Sequence, residues 1–240
     1  MPLRMADLVP IGTTAVLLAV LVSLGFWQLD RAAQKRALID EYAARIAGTA
    51  KTLAEVRGDW QAARYQRVNA RGRFLPGKDI WYENQVLGGR LGIHVYTPFR
   101  LLDGTLVLVN RGWWPTTPGG RDAVPPPAPM EMVNIEALLR PPPQVGIRIG
   151  SLHEVVFSFP LRIPYLDLGW LATGFGESLE PYVLLLADDT GNGGYVRDWN
   201  PIAMPPERHQ GYALTWFGLA GALVVLFVVA QMKKRRPGED

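Results

Sequence analysis

A chain of 240 residues, 48% hydrophobic and 20% charged, fits one folded domain with membrane segments and excludes a disordered or fibrous protein. Its net charge of +3 leans on one run, Lys233-Lys234-Arg235-Arg236, set beside an apolar stretch, which is a topology signal and argues against nucleic-acid binding. Cysteine is absent, so disulfides, thiolate metal sites and c-type haem attachment are ruled out.

Residues 8–29 carry no charged side chain between Asp7 and Asp30. A spanning helix needs about 20 apolar residues, because it rises about 1.5 Å per residue through a core about 30 Å thick. The spacing therefore predicts a first transmembrane helix within residues 1–30. A run of 22 uncharged residues exceeds the apolar core of a signal peptide, about 7–15 residues, so an uncleaved anchor is expected, with Trp27 at the interface. Ala15, Ala19 and Ser23 recur every four residues, as do Gly218 and Ala222 near the other end of the chain. These small residues form either a packing face between two helices or the ordinary composition of membrane helices. Helical periodicity continues through Leu38, Tyr42 and Ile46, with a Glu41 to Arg45 pair on the other side.

Residues 31–208 read as a β-rich domain behind that helical extension. Extended runs cover 64–74, 79–86, 92–102, 105–110, 133–139, 155–163 and 181–187. Pro76-Gly77, Gly88-Gly89 and Asp103-Gly104 separate the first four, which predicts consecutive antiparallel strands, with Asp103-Gly104 as the clearest two-residue hairpin. The prolines at 125–127 and 141–143 cannot join central ladders and bracket the strand between them. Residues 209–232 form the second uncharged span, and 233–240 a basic tail. The expected fold class is an α+β membrane protein: two transmembrane helices, N- and C-terminal, flanking a mainly antiparallel β domain that is an open sheet or small barrel.

Two spans place both termini on one side. Arg4 and the basic tail favour the cytoplasm, opposed by Arg31, Lys35, Arg36 and Arg45 at the other end of the first span. Of the three histidines, His94, His153 and His209, none is spaced to chelate a metal with another from one turn. His209 stands at the mouth of the second span with Tyr212 and Trp216 three and seven residues on, sharing a helical face. Neutral imidazole is a good axial ligand for haem iron and the aromatics could pack on the macrocycle; the alternative is an interfacial histidine with two belt aromatics. Arg111, after the strand ending at Asn110, could hold an anion such as a haem propionate, or be structural.

Asp189-Thr190-Gly191 has the signature of half an aspartic-protease dyad, but one copy reads better as a turn. Asp188, Thr190, Asn192 and Gly193 begin like a calcium loop, yet Trp199 takes the place of its closing Glu. Gly174 and Gly176 lack a third glycine at Leu179. Nothing in the residues marks an enzyme.

Four segments together resemble the surfeit-locus (Surf/Shy) family of cytochrome c oxidase assembly factors. They are Gly25-Phe26-Trp27-Gln28-Leu29-Asp30-Arg31; Asn84-Gln85 with Gly92 and Thr97-Pro98; Val109-Asn110-Arg111-Gly112-Trp113; and Arg208-His209-Gln210-Gly211-Tyr212-Ala213-Leu214-Thr215-Trp216. The resemblance implies a non-enzymatic factor of the bacterial inner membrane, with a periplasmic domain and both termini cytoplasmic. It implies help in inserting haem a into oxidase subunit I, by transient binding of haem a in which His209 is the iron ligand. The alternative is a scaffold that stabilises the immature subunit and carries no haem. Partners implied are subunit I, membrane lipid and, further off, the haem a synthase; nucleic acid is not among them.

Overall fold

The helical signal of the first apolar run continues unbroken into the extension behind it, giving α1 (Met5–Ala47). At about 1.5 Å per residue its 43 residues reach about 65 Å, twice what a bilayer core requires. The chain, described here from a computed structural model, is placed over residues 5–116, 124–143, 152–187, 193–199 and 204–235. Arg4, Asp189-Thr190-Gly191, the His153 side chain and the tail beyond Lys233 lie outside the described residues or side chains. Two compact units result: Met1–Tyr42 with Asn200–Asp240, and Ala43–Trp199.

The first unit holds most of α1 together with α4 (Pro206–Arg235). Pro206 opens α4 where its missing N–H costs nothing, and Glu207 complements the positive helix end. Both helices contain stretches long and apolar enough to cross a membrane. Only 6% of the α1 window and 11% of the α4 window is buried, so neither is the core helix of a water-soluble fold.

The second unit contains β1 (Lys51–Thr52), α2 (Leu53–Val56), β2 (Arg67–Phe74), β3 (Ile80–Leu87), β4 (Arg90–Leu101), β5 (Leu106–Pro115), β6 (Val133–Arg140), β7 (Leu161–Ile163), α3 (Leu168–Phe175) and β8 (Leu179–Leu186). The strand order is β1-β2-β6-β8-β5-β4-β3-β7, and β2 also pairs with β4. That second pairing closes β2, β6, β8, β5 and β4 into a ring. The long β4 makes this possible: Arg90–Tyr96 pair with β3, while Phe99–Leu101 pair with β2. Alternation in β2 sends Val68, Ala70 and Phe74 into the barrel, where they meet Phe99, Val107, Val109, Ile135, Leu139, Tyr182 and Leu184. Phe74 packs edge-on against Phe99 with ring centroids 4.8 Å apart.

Several expectations need correction. The sheet is mixed: β1–β2, β3–β7 and β5–β8 are parallel, because the long connections before β7 and β8 allow a strand to return in the same direction. Consecutive β2 and β3 do not pair with each other, since β6 takes one edge of β2 while β1 and β4 share the other. The two-residue hairpin is Gly88-Gly89, whose φ values of +56° and +76° suit a tight turn, and Asp103-Gly104 sits in a four-residue loop. That loop is held by Gly104 N–H donating to the Leu101 carbonyl at 3.0 Å and Thr105 N–H donating to Asp103 Oδ1 at 2.9 Å. The strand expected over 155–163 shrinks to Leu161–Ile163, after a short 3-10 turn at Leu152–Glu154. Helix α3 was not foreseen; its local signal is Asp167, which accepts from Trp170 N–H at 3.0 Å as an N-cap.

Candidate functional site

In an apolar helix a polar side chain gains most by meeting another across the helix pair. His209 Nδ1 lies 2.7 Å from Gln28 Oε1, joining the motif of the first apolar run to the motif that opens α4. Both side chains are half-buried. The remaining imidazole nitrogen, Nε2, makes no hydrogen bond to another described residue. Phe26, two residues before Gln28, and Phe217, eight residues after His209, meet edge to face, with centroids 5.4 Å apart and planes at 77°.

Small residues allow this approach, though not those the four-residue spacing suggested. Ala15, Ala19 and Ser23 are exposed, as are Gly218 and Ala222. Among the described residues the buried positions are Gly25 and Ala32 on α1 and Pro206, Ala213 and Ala220 on α4, each seven residues from the next on its helix. A seven-residue repeat follows the seam of two helices packed at a shallow angle, where a four-residue stripe drifts off it. A Cβ at Gly25 would sit 2.5 Å from Phe217 Cε1, so this residue sets the separation. Gly25→Leu is expected to widen the pair by about 2 Å, within the usual 8–10 Å range of axis distances. Because the chain lacks cysteine, spin labels at Val20→Cys and Leu219→Cys, both exposed, would measure it; an unchanged label distance would refute the role.

The other two α4 candidates take different positions. Trp216 is half-buried and Tyr212 is 50% exposed, so Tyr212 lies outside the helix contact. Gln28 was missed as a site residue. Its signal was available, as the only amide in the uncharged run from residue 8 to 29.

Arg111 belongs to the second unit, where a bulge decides its direction. Tyr96 pairs with Asn110 and Val95 with Gly112, leaving Arg111 as the extra residue of β5. Asn110 Oδ1 accepts from Gly112 N–H at 3.0 Å and braces the bulge. The Arg111 side chain is only 7% exposed; its Nη2 donates to the Pro126 and Pro127 carbonyls at 2.7 and 3.0 Å, and its Nη1 faces Asp79 Oδ1 at 3.8 Å. Asp79 also accepts from the Thr97 hydroxyl at 2.5 Å. The guanidinium lies over the Tyr195 ring at 4.8 Å, and burial pushes the Tyr195 phenol up to about 12. Tyr195 in turn donates to the Pro126 carbonyl at 3.0 Å. Arg111 thus ties the proline segment to the barrel, beside a cavity of about 350 Å³ that Tyr195 and Arg197 also line.

The central motif pieces meet in the same unit. Asn84 has φ +61°, a conformation asparagine tolerates, at the irregularity between Tyr82 and Gln85. Trp113 Nε1 donates to the Gln85 carbonyl at 3.0 Å and its indole covers Gly92. His94 is half-buried and stacked on Trp199, 5.7 Å between centroids.

A bulged, barrel-like β-sheet inserted in the sequence between two apolar helices that pack on each other makes this a two-helix β-barrel protein. The model of the SURF1 family matches residues 15–221. The chain belongs to the SURF1 family, generally known as oxidase assembly factors. It is 30% identical to the surfeit locus protein 1 of Xenopus tropicalis over 242 residues, covering 88% of this chain and 72% of that one. A SURF1-like protein of Rickettsia felis is 29% identical over 225 residues, covering 88% of this chain and 91% of its own. That of Caenorhabditis elegans is 29% identical, over 86% of this chain and 69% of its own.

Proposed function

We propose that this chain is an assembly factor of the bacterial inner membrane that holds haem a through His209 and passes it to subunit I of a haem–copper cytochrome c oxidase. Supporting the membrane setting, few residues of the apolar windows of α1 and α4 are buried against the rest of the chain, which suits contact with lipid. The positive charge of Arg4 and the basic tail, together with the family resemblance, supports termini in the cytoplasm and a β-rich unit in the periplasm.

The observation that carries the haem reading is the His209 contact. With Nδ1 engaged by Gln28 at 2.7 Å, Nε2 is the nitrogen left to a metal. Haem iron supplies an axial position that a neutral imidazole fills. Trp216 and Tyr212 offer aromatic surface on the same helix, and Tyr212, exposed, is placed to meet a ligand arriving from outside the helix pair. A single protein ligand leaves release within reach, as delivery requires. Arg111 is engaged by the chain's own carbonyls, and the proposal does not call on it.

Purified from cells that make haem a, the protein is expected to carry a visible haem spectrum that His209→Ala changes or abolishes. The same spectrum in both proteins would reject ligation by His209. The second reading, a scaffold without haem, draws on Val124, Met130 and Met132, apolar side chains exposed on the β-rich unit where a protein partner could cover them. Co-purification of oxidase without pigment would support it.

A further inference from the structure

The two ring nitrogens of a neutral histidine are not equivalent: one carries the proton, and only the other has a lone pair for a metal. Water imposes no strong choice between them, but an apolar surrounding does, because an N–H left without an acceptor there costs free energy. At the helix pair the atom facing His209 Nδ1 is a carbonyl oxygen, Gln28 Oε1, at 2.7 Å. That oxygen can only accept, so the proton sits on Nδ1 and the lone pair on Nε2. The reach of Gln28 across to α4 depends on the close packing of Gly25, Ala32 and Ala213.

Resting on the haem proposal above, we infer that Gln28 is the positioning residue of this site: it fixes His209 in the Nδ1–H tautomer and keeps Nε2 ready as the metal ligand. The arrangement has the form of an outer-shell contact that orients a ligating imidazole and raises its basicity. Gln28 acts through His209, whose Nδ1 it holds. The contact holds only with the amide oxygen toward Nδ1. With the amide group reversed, its NH2 would donate to Nδ1, the proton would move to Nε2, and the ligating lone pair would be lost.

The test begins without haem. In the full chain in detergent or lipid, ¹⁵N spectra of the His209 ring are expected to show the Nδ1–H tautomer. Gln28→Leu, an apolar change at a half-buried position of an apolar helix, is expected to abolish that preference, and Gln28→Glu, which keeps an oxygen acceptor, to retain it. Titrated with haem, Gln28→Leu should bind about 10–100-fold more weakly, the usual loss for an outer-shell partner, with Gln28→Glu restoring affinity. An Nε2–H tautomer in the wild type, or a tautomer and affinity indifferent to Gln28→Leu, overturns the inference. His209→Ala run alongside separates the two claims. Unchanged pigment in that variant overturns ligation itself, whereas lost pigment there with an unaffected Gln28→Leu overturns only the role of Gln28.

Discussion

Gly112→Ala is expected to destabilise the β-rich unit by about 4 kcal/mol, combining backbone strain of about 1–3 kcal/mol with overpacking of similar size. Gly112 has φ +137°, a region closed to side-chain-bearing residues. A Cβ there would stand 2.7 Å from Tyr195 Cβ and 3.1 Å from the Val196 carbonyl oxygen. Retreat is blocked, because Trp113 and Val196 exchange both backbone hydrogen bonds, at 2.8 and 3.0 Å. Displacing Tyr195 would also loosen its bond to the Pro126 carbonyl and its ring contact with Arg111. For a unit of this size about 2–4 °C is lost per kcal/mol, so near-ultraviolet dichroism of the full chain should show a thermal midpoint about 10 °C lower. A midpoint within about 2 °C of wild type would mean that the bulge adjusts at little cost.

Acidification is expected to weaken the same unit through His94. Burial lowers the His94 imidazole from 6.5 to about 4, opposed by hydrogen bonding to the Gly112 backbone, reinforced by the charge of Arg140 and opposed again by the Asn110 side chain. The folded state therefore holds His94 neutral where the unfolded chain takes a proton. The contribution is complete above pH 6.5 and is lost as pH falls toward 4, at about 1.4 kcal/mol per unit, or about 3 kcal/mol in all. Asp103 acts lower: it is held at about 2 by the Thr105 backbone and side chain and by Arg57, so its contribution fades only below its ordinary 3.8. Thermal midpoints at pH 7, 6, 5 and 4.5 should fall steadily in the wild type and stay nearly level in His94→Gln. Parallel curves for the two proteins would exclude His94 as the source.

Much of the architecture was legible locally. Apolar length marked both long helices, the extended runs marked five of the strands nearly to their ends and β5 as far as Asn110, and the proline triplets bracketed β6 as expected. Short or weakly patterned elements were not legible. Helix α3 has eight residues and hides among aromatics, and residues 155–160, interrupted by Ser158 and Pro160, do not extend β7.

By itself the sequence determined the two apolar helices, the β-rich segment between them, and the imidazole at the entrance of α4, because each is written in periodicity or composition over a few turns. Family membership also followed from the order of its motifs, borne out by the match over residues 15–221. Only the tertiary structure decided how those motifs act. It turned Arg111 inward through a bulge, closed the barrel by pairing β2 with both β6 and β4, and chose Gly25, Ala32, Ala213 and Ala220 as the helix seam. It also set Gln28 against His209, two residues 181 positions apart. Such pairings depend on packing between distant segments, which no local pattern encodes.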